Sequence, residues 1–154
     1  IPFEKAGRED GLGRKAEKMR LSVNKPCPCH SGRKTKSCCG PILAGTPASS
    51  PEALMRSRFA AYATGNVHHI IKTTHPAGPH HQQNLKMWAD QIQQFCNAYS
   101  FDGLTIHTSG EEANRGWVKF TAHIAEQSRD ASFTEHSLFL KQQNRWLYHS
   151  AIAS

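Results

Sequence analysis

Four of the five cysteines in this 154-residue chain fall inside one short segment, CPCHSGRKTKSCC, residues 27–39. They are ordered Cys27-x-Cys29, eight intervening residues, then the vicinal pair Cys38–Cys39. Three chemistries use cysteines so close together. A disulfide framework needs an oxidising compartment, and neither the vicinal pair nor Cys27 with Cys29 makes an ordinary bridge. A redox dithiol is usually a Cys-x-x-Cys opening a helix, and neither pair has that form. The pattern favours a tetrahedral metal site, in which two close pairs clamp one ion from opposite sides. Zinc suits four soft thiolates best, with iron the other metal to weigh.

The residues between the pairs fit such a clamp. Pro28 stiffens the first pair, and Ser31–Gly32 permits a sharp turn. Arg33, Lys34 and Lys36 set positive charge beside an anionic cluster and stabilise thiolates; a solvated basic loop is the plainer reading of the same three residues. So short a segment has too little core to fold alone. Metal binding, worth roughly 10–16 kcal/mol in comparable peptides, would have to order it, which makes the site structural. With four protein ligands no coordination position is left for catalysis.

The elements around this segment follow from composition and period. Hydrophobic content is 38% and mean hydropathy −0.60, and no apolar run reaches the roughly 18 residues of a membrane span. The opening residues lack the apolar stretch of a secretory signal, and the missing initial Met suggests that a leading piece has been removed or left out; the expected compartment is the cytoplasm. Charge is uneven. Residues 1–39 carry ten Lys/Arg against four Asp/Glu, or +6, and residues 40–154 carry nine against eight, or +1. Four thiolates on one divalent ion add −2 and lower the first figure to about +4, so the signal for nucleic acid is weak.

Four segments are expected: a basic, disordered tail over 1–24, the cysteine motif over 25–41, a Gly/Pro/Ala/Ser-rich linker over 42–50, and a larger domain over 51–154. In the last, Ser50, Pro51 and Glu52 cap a helix carrying Leu54, Met55, Phe59 and Tyr62 as one stripe, and Gly65 ends it. A short helix runs from Val67 to Thr74, stopped before Pro76. A third, near 81–97, carries Leu85, Trp88, Ile92, Phe95 and Cys96, the last a buried core thiol. From residue 99 the period changes to two. YSFDGLTIHTS, WVKFTAHIAEQ, FTEHSLFLKQ and RWLYHSAIA predict four antiparallel strands, and the fold class is α+β.

A turn at Arg129–Asp130 would place Phe120 opposite Phe139 and gather Val118, Phe120, Ala122 and Ile124 on one face with Glu135, Ser137 and Phe139. A turn at Gln143–Asn144 adds Trp146, Tyr148 and Ile152. This mostly apolar face should meet the helices. Glu135 is its odd member: a general base of raised pKa, or, as the favoured reading, a carboxylate at the sheet's rim in water. The opposite face collects His123, His136 and His149, with His123 across from His136. A polar outer face or a sheet-to-sheet homodimer contact explains them better than a second metal. The loop HPAGPHH, 75–81, should carry solvated histidines, with a lid over a pocket as the rival reading.

CPCHSGRKTKSCC resembles the SEC-C motif, the zinc-binding signature at the carboxyl end of the SecA translocation ATPase, approximately CxCGSGKKYKxCC. The resemblance implies Cys27, Cys29, Cys38 and Cys39 as the ligands of one zinc. His30 stands where the motif has Gly, which could take a backbone angle that His tolerates less well, and Thr35 stands where it has Tyr. Three helices before a sheet resemble the NTF2-like or SnoaL-like cone. PEALMRSRFAAYATGNVHHIIKTTHP directly after a SEC-C motif resembles the YchJ-type family of small bacterial proteins. Some members carry a second carboxyl-terminal cysteine motif, which this chain lacks. That family has no settled activity. The resemblance to SecA implies an adaptor whose Arg33, Lys34 and Lys36 meet a protein or ribosomal partner. The alternative is a small NTF2-like enzyme or ligand-binding protein acting on an apolar molecule in a cone pocket, with Glu135 as base and Tyr62, Trp88 and Tyr148 lining it. The sequence leans away from an enzyme, because no Ser-His-Asp, Cys-His or paired-carboxylate arrangement is present.

Overall fold

The computed structural model describes residues 22–152, so nearly all of the basic tail, 1–24, lies outside the described residues. A 3₁₀ turn at Thr35–Ser37 leads into α1 (Gly40–Leu43), followed by α2 (Pro51–Thr64), α3 (Val67–Lys72) and α4 (Leu85–Ala98). The strands are β1 (Ser100–Glu112), β2 (Arg115–Glu126), β3 (Arg129–Asp130), β4 (Phe133–Gln142) and β5 (Arg145–Ala151). They pair antiparallel in the order β1-β2-β4-β5, with the short β3 beside β2.

Local chemistry sets the helix ends. Ser50 Oγ accepts from Ala53 N at 3.1 Å, and Gly65 closes α2 in the left-handed conformation at φ 74°. Asn84 Oδ1 accepts from Met87 N at 3.0 Å and starts α4 at Leu85, a turn later than its apolar spacing predicts. Leu85 is consequently 54% exposed, and the buried face is Trp88, Ile92, Phe95 and Cys96.

The core lies between this face, the α2 residues Leu54, Met55, Phe59 and Tyr62, Ile70 of α3, and the inner face of the sheet. Val118, Phe120, Ala122, Ile124, Glu135, Ser137, Phe139, Trp146 and Tyr148 are all buried on that face. The face assignment holds for these nine residues but not for Ile152, which lies beyond β5 after a bulge in the β4–β5 pairing, bonds His136 O through its N–H and is outside the core; the register differs too. The β2–β4 partners are Phe120 with Glu135 and Gly116 with Phe139, four residues from the expected pairing. The reason is the turn. It falls at Gln127–Ser128, both at positive φ (51° and 69°), and Arg129–Asp130 pairs back onto β2. A shift of four is even, so every side chain keeps its face. His123 does not oppose His136: it pairs with Gly103 of β1, while His136 pairs with Lys119. The turn before β5 is at Gln143–Asn144, as expected, with φ of 52° and 66°.

α2 is buried on two sides, which its single apolar stripe does not suggest. Phe59 and Tyr62 face the sheet side, while Ala60, fully buried, packs against Cys27, Cys29 and Cys39. A small side chain there lets the cysteine segment sit directly on the helix.

Candidate metal centre and cone cavity

Cys27, Cys29, Cys38 and Cys39 converge with all four sulfurs within 4.8 Å of one another. Cys29 Sγ lies 3.5 Å from Cys38 Sγ, and Cys38 Sγ 3.9 Å from Cys39 Sγ. Neither distance is near the ~2.05 Å of a disulfide. Both lie close to the ~3.8 Å edge of a tetrahedron built on ~2.3 Å metal–sulfur bonds. The four thiols are therefore placed to bind one metal ion.

Short backbone bonds impose this geometry. His30 N donates to Cys27 O at 3.0 Å, turning the chain after the first pair. Cys27 N donates to Arg33 O at 2.8 Å, Thr35 N to Lys25 O at 3.0 Å, and Cys38 N to Thr35 O at 3.0 Å, which bring the second pair back to the first. Thr35 is fully buried, and its hydroxyl also donates to Lys25 O at 3.2 Å. Thr35 thus has a place of its own in this packing.

Donors surround the sulfurs. Ser31 Oγ is 3.1 Å from Cys38 Sγ, Arg33 Nη2 donates to Cys38 Sγ at 3.7 Å, and Arg56 Nη1 donates to Cys29 O at 3.3 Å. Hydrogen bonds from the Cys29 and Cys39 thiols hold the Cys27 pKa down at about 3, and the same sharing pushes Cys39 up. Charge is thus favoured on Cys27 and opposed on Cys39; a cation among the sulfurs would favour the thiolate form throughout.

His30 takes φ 64°, the left-handed angle its position demands. Its ring turns away from the sulfurs. Nε2 lies 3.2 Å from Phe101 O of β1, and the ring packs edge-on to Phe59 at 5.8 Å. It joins the cysteine segment to the larger unit. Arg33, Lys34 and Lys36 are exposed.

The second site lies inside the cone. Glu135 is on the inner face and 9% exposed, so the expected rim position is not the one it occupies. Its Oε2 accepts from Ser137 Oγ at 2.7 Å and from Tyr148 Oη at 2.8 Å. Burial raises its pKa and these hydroxyl donors lower it. A cavity of about 40 Å³ lies beyond Tyr148, lined by Arg58, Tyr62, Ile70, Thr74, His80, Gln82, Trp88, Gln91, Ile92 and Tyr148. The three expected lining residues, Tyr62, Trp88 and Tyr148, are among them and Glu135 is not. An apolar ring needs a void nearer 150 Å³.

The loop after α3 covers this cavity. His75 N donates to Tyr148 O and Tyr148 N to Thr73 O, each at 2.8 Å, so the loop runs beside β5. Its histidines are half-buried against rings rather than solvated: His75 on His149 at 5.3 Å, His80 on Tyr148 at 5.6 Å, His81 on Trp88 at 5.2 Å. His123 is exposed and bonds Thr105 Oγ1 at 2.9 Å, so His123, His136 and His149 do not meet as a cluster.

Sequence reasoning passed over Arg58. It is 2% exposed, and the signal was its spacing, because Leu54, Arg58 and Tyr62 follow one another at four-residue intervals along the apolar stripe.

A four-cysteine cluster docked on an α+β cone defines a SEC-C motif protein with an NTF2-like domain. Comparison with known proteins agrees. Residues 50–151 match the family model for the middle NTF2-like domain of YchJ. A UPF0225 protein of Pectobacterium carotovorum is 33% identical over 132 residues, 82% of each chain. The solution structure of a SEC-C motif containing protein from Rhodopseudomonas palustris has a TM-score of 0.73 at 34% identity, covering 84% of this chain and 99% of that one. A crystal structure of a SEC-C motif containing protein from Psychrobacter arcticus shares the fold, with a TM-score of 0.69 at 21% identity over 88% and 87% of the two chains. The chain belongs to the YchJ family.

Proposed function

We propose that Cys27, Cys29, Cys38 and Cys39 hold a single structural zinc ion, and that the resulting knuckle is a docking module for a protein or ribosomal partner in the bacterial cytoplasm. One observation carries the metal reading: the sulfur separations of 3.5 and 3.9 Å approach the edge length of a tetrahedral Zn–S₄ centre. Zinc fits the donor set because four thiolates satisfy a soft d¹⁰ ion without any preferred redox state. A reducing compartment keeps such thiols free to bind it.

The partner reading rests on the outward side of the knuckle. Lys34 and Lys36 are exposed on a turn whose backbone is held by hydrogen bonds, so a partner with an acidic surface meets two cations at a fixed place on the knuckle. Arg33 has a second task, its bond to Cys38 Sγ, so a charge reversal there would disturb the metal site too.

The test has two stages. Elemental analysis of the purified chain should give about one zinc per molecule, lost in the Cys38→Ser/Cys39→Ser variant; a chain with its thiols reduced and no zinc would end the metal reading. Sedimentation with purified ribosomes at low salt should then be lost in Lys34→Glu/Lys36→Glu while zinc content is unchanged. Equal sedimentation of that variant would dismiss the basic turn as the docking surface.

A further inference from the structure

Reactive cysteines sit in electropositive, partly exposed surroundings, and buried ones are inert. The four sulfurs of the knuckle differ in this respect. Cys27, Cys29 and Cys39 are each 3% exposed or less, whereas Cys38 is only half-buried. Two donors stand beside its sulfur. Ser31 Oγ, 3.1 Å from Cys38 Sγ, accepts from Arg33 N at 3.2 Å, which leaves its hydroxyl proton to the sulfur. Arg33 Nη2 donates to the same Sγ at 3.7 Å from an exposed side chain. An electrophile from solvent therefore meets Cys38 first, with donors on the side it approaches from.

A thiol that is oxidised reversibly needs a second thiol within reach to capture its sulfenic acid. Cys29 Sγ lies 3.5 Å from Cys38 Sγ and Cys39 Sγ lies 3.9 Å from it. Cys39 is the next residue, and adjacent Cα atoms, about 3.8 Å apart, are closer than the ~4.4–6.8 Å that an ordinary disulfide spans. Cys29 is nine positions away and free of that limit. Its sulfur and that of Cys38 must close by about 1.5 Å to reach bonding distance. Exposure thus selects the attacking sulfur, and chain geometry selects its partner.

We propose that Cys38 is a site of oxidation by hydroperoxides, with Cys29 as the thiol that resolves it, so that peroxide opens the knuckle and reduction closes it. The Cys38 thiolate attacks one peroxide oxygen. An S–O bond forms, the O–O bond breaks, and the departing hydroxide, met by Ser31 and Arg33, takes a proton from solvent to become water. The Cys29 thiolate then attacks the Cys38 sulfur: an S–S bond forms, the S–O bond breaks, and the second hydroxide leaves as water. Two thiolates thereby give two electrons to one peroxide, two protons are taken up, and a disulfide and two waters result. The proposal rests on the metal reading above, because a four-sulfur site that spends Cys29 and Cys38 on a disulfide keeps only Cys27 and Cys39 and releases its ion. Lys34 and Lys36 lie between the two oxidised residues, so the docking turn changes with their state.

The full chain, loaded with zinc and freed of excess metal, would be treated with hydrogen peroxide. The readouts are zinc released to a colorimetric chelator and, by mass spectrometry after alkylation of the remaining thiols, the cysteines joined at early times. Zinc release should keep pace with a Cys29–Cys38 disulfide, and dithiothreitol with added zinc should restore the original metal content. Ser31→Ala and Arg33→Gln keep all four cysteines, and each should slow release roughly tenfold at unchanged zinc content. Lys34→Gln removes a charge from the same turn without touching a listed sulfur contact and should release zinc at the wild-type rate. If Arg33→Gln fails to hold zinc, Ser31→Ala and the disulfide map decide. Zinc retained under peroxide, a first disulfide between other cysteines, or wild-type rates in the Ser31 and Arg33 variants overturns the proposal and leaves the metal reading standing. A chain with no zinc before treatment ends the metal reading, and this proposal with it.

Discussion

The His30 imidazole reaches the Phe101 carbonyl, 3.2 Å from Nε2 to oxygen, across 71 positions of sequence. This contact, the Arg56 bond to Cys29 O and the packing of Ala60 under the cysteines attach the metal knuckle to the cone. The ring is held there by a backbone at φ 64°, where a side chain costs roughly 1–2 kcal/mol relative to glycine. Two effects therefore oppose at one residue. His30→Ala loses the contact and keeps the strain; His30→Gly loses the contact and relieves it. Urea unfolding should find the Gly variant about 1 kcal/mol more stable than the Ala variant. Equal stabilities would mean that the left-handed angle is not maintained.

Removal of the metal should loosen more than the knuckle. Ala60 clusters with Cys27, Cys29 and Cys39, with Leu43 of α1 packed against the same group, and Arg56 holds Cys29 O from the same helix. Hydrogen exchange after chelation should rise across residues 25–40 and along the outer side of α2, while β2 and β4 stay protected. Protection of α2 that is indifferent to chelation would show that the two units do not support each other.

Tyr148 Oη and Ser137 Oγ both donate to Glu135 Oε2 inside the core. Burial raises the Tyr148 pKa and the Glu135 charge raises it further, so the phenol stays protonated and remains a donor. Tyr148→Phe leaves a buried carboxylate short of one donor and should cost about 1.5–3 kcal/mol in chemical denaturation. Ser137→Ala should cost less singly, and the two should be non-additive because they serve one oxygen. Full additivity would mean that the hydroxyls act independently.

The legible parts of this molecule are those fixed by short-range chemistry. Two close cysteine pairs with a turn between them imply a clamp, and Ser50, Pro51 and Gly65 delimit α2 without reference to anything else. The faces of β2, β4 and β5 followed from alternation alone, which is why Glu135, Ser137 and Tyr148 could be grouped even with a β2–β4 register four residues away. The register itself was hidden. Gln127–Ser128 adopts two positive φ angles with no Gly, Asn or Asp to announce the turn, whereas Gln143–Asn144 includes an Asn. The positions of Arg58 and His30 carried a signal, but their partners did not. Their partners at Ile70, Thr73, Thr74 and Phe101 are distant in sequence, so only tertiary packing turns a helical charge into a buried anchor and a motif departure into a dock.

His69 gives a prediction in pH. Its Nε2 lies 2.9 Å from Ser57 Oγ, which donates onward to Leu54 O at 2.8 Å, so the imidazole donates from Nε2 and Nδ1 is buried without a partner. Burial, followed by the positive charge of Arg58, pushes its pKa down to about 3. In the unfolded chain the ring titrates near its ordinary ~6.5. Between these values the unfolded state holds a proton that the folded state refuses. The contribution of neutral His69 is thus fully present above pH ~6.5 and declines as pH falls toward 3, by about 1.4 kcal/mol per unit in the middle of that range. Other histidines titrate in the same window, so the comparison needs a variant. His69→Gln keeps a donor to Ser57 Oγ and carries no titrating group. Urea unfolding at pH 7.5 and 5.0 should show the wild type losing about 1–2 kcal/mol more than His69→Gln over that interval. Parallel losses in the two proteins would mean that the buried ring takes up its proton without unfolding.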